Sequence, residues 1–131
     1  MTVSTVKERF ECDVERVWNT VTSLENYSWR SGLSEIKIVN ENKFIEYAEN
    51  GYATTFTVTK CEPFKLWEFD LENDNMEGHW IGRFSQKDGY TELELTEDIT
   101  AKKLVMKPFV KSYLKVQQSV YIDDLKKALG L

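Results

Sequence analysis

Polar and apolar residues alternate through residues 2–12, with Val6, Glu8, Phe10 and Cys12 in phase at the end, and this period of two predicts a first strand. The spacing then changes. Val14, Val17, Trp18 and Val21 recur at i, i+3, i+4 and i+7, which is one apolar face of a helix. Asp13 is placed to cap that helix, and Glu15 lies near the positive end of its dipole. Leu24 to Ser31, with Tyr27 and Trp29, reads as a second short helix or an ordered loop. From Leu33 the period returns to two and predicts strands near 33–40, 43–49, 52–62, 64–73, 76–87 and 90–100. Asn40-Glu41-Asn42, Asn50-Gly51, Glu62-Pro63, Glu72-Asn73-Asp74-Asn75 and Asp88-Gly89 separate them, and Asn-Gly and Asp-Gly supply the positive φ of tight hairpins. Connections this short join antiparallel neighbours.

The last segment, 101–129, reads as helix. Its apolar stripe takes in Phe109, Val110, Tyr113, Leu114, Val116, Val120, Tyr121, Leu125 and Ala128. Gly130 suits a C-cap, Lys126 and Lys127 suit the negative end of the dipole, and Pro108 either starts the regular helix or kinks it. A sheet of about seven strands cannot bury its inner face alone. The C-terminal helix is the one element long enough to cover it. The expected fold is therefore α+β: a curved antiparallel sheet wrapped around a long C-terminal helix, with two short helices after the first strand, in a single domain over 1–131.

Composition sharpens this picture. Seventeen of the 131 residues are aromatic, four of them Trp, enough for a sizeable core. The net charge of −5 argues against a nucleic-acid partner. No apolar run approaches the roughly 18 residues of a membrane-spanning helix. Met1 to Thr5 shows no basic region followed by an apolar stretch, so no signal peptide is expected. Cys12 and Cys61 form no CxxC pair and read as free thiols of a cytoplasmic protein, monomeric or homodimeric. Charge is uneven along the chain. Residues 99–122 hold Lys102, Lys103, Lys107, Lys111 and Lys115 and no acid, +5 against −10 for the remainder. Lys103, Lys107, Lys111 and Lys115 recur every four residues, a stripe suited to peripheral contact with a membrane or anionic lipid, or to a solvated helix face.

Several stretches together resemble the START-like superfamily. They are the order of elements, Asp13-Val14-Glu15-Arg16-Val17-Trp18, Tyr27-Ser28-Trp29-Arg30, and Trp80 and Phe84 followed by Thr96-Glu97. More narrowly the chain is similar to the polyketide cyclase/dehydrase-type branch, which shares the helix-grip fold with birch-pollen-allergen-like and lipid-transfer proteins. The resemblance spans roughly residues 3–129. It implies a cavity between sheet and long helix that holds a hydrophobic or amphipathic ligand. Carriers, cyclases and chaperone activators all occur among such proteins, and fold alone does not choose between them.

Strand parity predicts the wall of such a cavity. Phe56 and Val58 share a face, as do Trp67, Phe69 and Leu71, and as do Trp80, Gly82 and Phe84. Trp18 joins them from the first helix, and Phe109, Tyr113, Val116, Gln117 and Val120 would face them from the last. The alternative is that these rings simply fill a core. Glu97 falls in phase with Leu93, Leu95 and Ile99, so its carboxyl is expected on the buried side, as an anchor or a general acid/base. The resemblance implies an acid there too. Otherwise it sits near the strand end and reaches water or an arginine such as Arg83 or Arg30. Glu8 is a weaker case of the same kind, and Tyr113 or Tyr47 could also move a proton.

Other chemistry is scarce. His79, the single histidine, alternates against Trp80 and belongs on the outer face, and Cys12 and Cys61 lack ligand spacing, so no metal site is expected. No G-x-S-x-G, H-E-x-x-H or glycine-rich phosphate loop is present. Gly78 and Gly82 flank Trp80 and point to a bend or bulge. No cofactor is expected. The sequence favours a carrier of a small apolar ligand, with a cyclase or dehydratase using Glu97, or a pocketless protein-binding adaptor, as the competing functions.

Overall fold

The computed structural model describes residues 1–131. Its strands are β1 (Thr2–Phe10), β2 (Leu33–Asn40), β3 (Lys43–Ala48), β4 (Ala53–Glu62), β5 (Leu66–Glu72), β6 (Met76–Gln86) and β7 (Thr91–Ala101). Consecutive strands from β2 to β7 pair as hairpins and β1 closes on β7, giving the all-antiparallel order β1-β7-β6-β5-β4-β3-β2. Gly51 and Gly89 take φ of 86° and 81° at two of the turns, the conformation their Asn-Gly and Asp-Gly contexts anticipate. Helix α1 (Val14–Thr22) fills one end of the concave face and α2 (Val110–Ala128) crosses it. No helix is long and apolar enough to cross a membrane.

Five local expectations need correction. Residues 24–31 form turns and bends, the ordered loop of the two alternatives and not a second helix. This segment is held from outside: Asp124 of α2 accepts bonds from the Ser31 backbone N–H at 2.8 Å and from its hydroxyl at 2.9 Å. The C-terminal helix begins later than 101, because β7 runs to Ala101 and a short 3-10 helix occupies Leu104–Phe109. Pro108 has no N–H to give and disfavours helical backbone before it, so regular helix starts two residues beyond it. The Asp13 side chain makes no cap bond, and the Gln86 side chain takes the Val14 N–H instead, at 2.8 Å. Finally, β6 carries no bulge, its register to both neighbours being unbroken. Its glycines make room: a Cβ at Gly82 would meet the Trp80 indole at 2.7 Å, and one at Gly78 would collide with the Asp98 carbonyl.

The fifth correction concerns α2. Its sheet-facing stripe is Val110, Leu114, Gln118, Ile122, Leu125 and Leu129, which keeps Val110, Leu114 and Leu125 of the predicted stripe and leaves Phe109, Tyr113, Val116, Val120 and Ala128 exposed. Val116 is 60% and Phe109 67% exposed, so neither packs on the sheet. Gly130 closes the helix as expected, with φ 74° and the Leu131 N–H on the Lys126 carbonyl. Of the lysine stripe, Lys111 and Lys115 bend back to the Val3 and Thr5 carbonyls at 3.0 and 3.1 Å. They cover the edge of β1, where unpaired backbone would otherwise invite another strand.

Candidate functional site

Inward residues of neighbouring strands line up in rows. One row runs Ser4, Glu97, Trp80, Phe69 and Val58 across β1, β7, β6, β5 and β4. The next sets Phe44 and Phe56 beside Leu71. Phe69 stacks on Trp80 with ring centroids 4.6 Å apart, Trp67 meets Trp80 edge-on at 5.8 Å, and Phe44 stacks on Phe56 at 5.0 Å. Such contacts lock the rings in one arrangement. They leave a chamber of about 230 Å³ between this wall and α2. It opens toward a larger vestibule of about 730 Å³ beneath the 3-10 helix, and the two share Arg30, Glu46, Thr54, Asn73, Met76, Tyr113 and Gln117.

Of the residues expected at the wall, Phe56, Trp67, Phe69, Trp80, Glu97, Tyr113 and Gln117 border the chamber. Phe109 borders only the vestibule. Trp18 and Phe84 border neither: they pack on each other at 4.9 Å in the solid core at the α1 end. Tyr47 pairs with Glu35 and Ala53 on the sheet's other face and lies away from the chamber. Glu8 turns to Lys126 at 3.4 Å. Cys12 and Cys61 are free, and no cluster of acids, histidine and cysteine could hold a metal ion.

The carboxyl of Glu97 is set among Trp80, Ser4 and α2. Neither arginine reaches it. Arg83 lies beside Glu94 at 3.8 Å, and Arg30 is held by both oxygens of Glu46 at 2.8 and 3.1 Å. Burial therefore raises the Glu97 pKa from its ordinary 4.5 to about 7, with hydrogen bonding from Gln118 pulling the other way. Gln118 is itself committed: it accepts from the Ser4 hydroxyl at 2.8 Å and donates to the Ser4 carbonyl at 2.9 Å. Burial and the nearby Glu97 push the Tyr113 hydroxyl up. Burial likewise raises Tyr121, against the pull of Arg30. For Arg30 itself burial acts downward, and the Glu46 carboxylate outweighs it, so the guanidinium stays charged.

Ser4 and Gln118 are absent from the predicted site, although both carried a signal. Ser4 is in phase with Val6, Glu8 and Phe10. Gln118 falls on the four-residue spacing of Val110, Leu114 and Ile122. On the outer face, where parity places it, His79 holds Asp70 at 2.6 Å and Glu68 at 2.8 Å.

Solved structures share this architecture. A conserved protein from Geobacillus kaustophilus aligns with a TM-score of 0.85 at 14% identity, over 98% of this chain and 95% of its own. A START superfamily protein from Mycobacterium smegmatis gives 0.85 at 14%, over 96% and 95%. The protein XoxI from Bacillus cereus gives 0.80 at 11%, over 98% and 95%. At such identities the likeness speaks for the fold. No curated protein matches the chain. The family model described as polyketide cyclase / dehydrase and lipid transport matches residues 1–130, and the chain belongs to that family.

Proposed function

We propose that the protein carries a small apolar molecule in the chamber between its sheet and α2, working in the cytoplasm. The observation that carries this reading is a ring-lined chamber whose polar groups are left facing the space. Tyr113, Gln117 and Tyr121 of α2 border it beside the rings of the sheet, and Tyr113 is 48% exposed. A side-chain core built only for stability would close such a space, since each unfilled cavity costs stability. Membership of a family that includes lipid transport supports the reading, and two unpaired thiols suit a reducing compartment. Native mass spectrometry of the purified protein tests it. A co-purifying small molecule, or uptake of an added aromatic probe, is the expected result. A protein that stays empty and refuses every probe is an adaptor with no working pocket.

A second reading has its own observation. Burial raises the Glu97 pKa to about 7 at the chamber wall, where a carboxyl can give a proton to or take one from a bound carbonyl compound. A cyclase or dehydratase of this kind would lose turnover, and not binding, on Glu97→Gln.

A further inference from the structure

The chamber's charge inventory says what it accepts. Two acids, Glu46 and Glu97, and one cation, Arg30, border it, and no lysine borders either chamber or vestibule. Arg30 is spent. Glu46 engages it through two parallel bonds, the arrangement that best satisfies a guanidinium. An incoming carboxylate or phosphate would therefore find no free cation, and it would bring a second negative charge toward Glu97. Taking an unpaired anion out of water is costly in any apolar site. A molecule offering an O–H or N–H meets the opposite situation, since the Glu97 oxygens accept in either protonation state. The Tyr113 and Tyr121 hydroxyls and Gln117 can complete its bonds.

Shape narrows the choice further. A dry apolar cavity of roughly 150 Å³ holds benzene, so about 230 Å³ suits two fused rings better than a long acyl chain. The wall offers two stacked ring pairs, Phe69 on Trp80 and Phe44 on Phe56, set nearly at right angles to each other, so a ring compound can meet aromatic groups on two sides.

We infer that the chamber selects a ring compound bearing a hydroxyl or amine donor and no acid group, and that Glu97 is the residue that sets this preference. The inference rests on the carrier reading above, and three naphthalene probes separate the two. Binding of naphthol, naphthoate and methylnaphthalene is followed at neutral pH through quenching of the tryptophans, two of which, Trp67 and Trp80, wall the chamber. Naphthol is expected to bind at least about tenfold more tightly than naphthoate, the minimum that burying an unpaired carboxylate would impose. It should exceed methylnaphthalene by about threefold to tenfold, the worth of one hydrogen bond. In Glu97→Gln, naphthoate should gain about tenfold while naphthol changes little, because the amide oxygen still accepts. Naphthoate binding as well as naphthol in the unaltered protein would overturn the donor preference and leave the carrier reading standing. An unchanged preference in Glu97→Gln would remove Glu97 from its role. If even methylnaphthalene fails to bind, the carrier reading falls and takes this inference with it.

Discussion

Beneath α1, at one end of the concave face, Phe10, Val17, Leu93 and Leu125 are fully enclosed, and Phe84 meets Trp18 edge to face at 4.9 Å. Toward the other end an equally aromatic wall faces a chamber of about 230 Å³. Residue types do not separate these regions. The elements above them do. At the closed end two helices lie over the sheet, joined where Arg16 donates to the Leu129 carbonyl at 2.9 Å. The Thr91 hydroxyl pins the corner between β1 and α1 by donating to the Cys12 carbonyl at 2.8 Å. At the open end α2 lies over the sheet with only the short 3-10 helix Leu104–Phe109 before it. The 24–31 segment comes in from the side, tied by Asp124 and by the Arg30–Glu46 pair. Polar residues hold this half apart, with the Ser4–Gln118 pair setting the distance between β1 and α2 beside Glu97.

The contrast breaks most visibly at Phe84, which is 4% exposed. Phe84→Ala should cost about 3–5 kcal/mol in urea unfolding, the usual range for a filled core that cannot collapse onto the gap. Because Phe84 does not border the chamber, naphthol affinity under conditions where the variant stays folded should hold. If binding disappears while the protein remains folded, the two ends are one mechanical unit and the contrast fails.

Glu97→Gln sharpens it from the open side, with the opposite sign. A carboxyl whose folded pKa lies above its unfolded one holds its proton more tightly in the native state. Stability must then fall as pH rises from about 4.5 to about 7, and the full penalty stands above that. A rise of this size corresponds to about 3 kcal/mol. The variant should be more stable than the unaltered protein by up to that amount at about pH 8, with the advantage gone near pH 4. Denaturant titrations at the two pH values check it. A variant that is less stable at the higher pH would mean that a cation is paired with Glu97 after all.

These two sites also show how far residue order reaches. The inward direction of both Phe84 and Glu97 follows from alternation, because β6 and β7 keep an unbroken register along their length. Alternation cannot say what lies above a strand, and so it placed Phe84 in the same wall as Trp80. In α2, apolar residues at 109, 113, 116 and 120 compete with those at 110, 114, 122 and 125. Only packing against β1 decides between the two stripes, and it favours the one containing Gln118. That residue is polar and its partner Ser4 is 114 positions away. No local pattern links them. The 24–31 segment misleads for a similar reason: its order comes from Asp124, not from its own spacing.

The smallest expected effect lies on the convex side of the sheet, directly behind the chamber. The His79 Nδ1 and Nε2 atoms lie 2.6 and 2.8 Å from the Asp70 and Glu68 carboxylates, and the protonated ring donates to both. Partial burial lowers its pKa, but bonds to Glu68 and Asp70 and their charges raise it by more, so the folded value lies above the ordinary 6.5. Its contribution is therefore complete below about pH 6.5 and is lost as pH climbs through the raised folded value. The Asp70 side chain is 63% exposed, so solvent and salt screen the cluster and the loss in His79→Gln should be no more than about 1 kcal/mol near pH 5.5. Near pH 9 the variant and the unaltered protein should unfold together. Naphthol affinity should stay the same throughout, because the β-strand pairs 69–80 and 68–81 fix the chamber floor from within the sheet. If affinity follows the protonation of His79, the floor yields to the outer face. The open half would then differ from the closed half in stiffness as well as in what covers it.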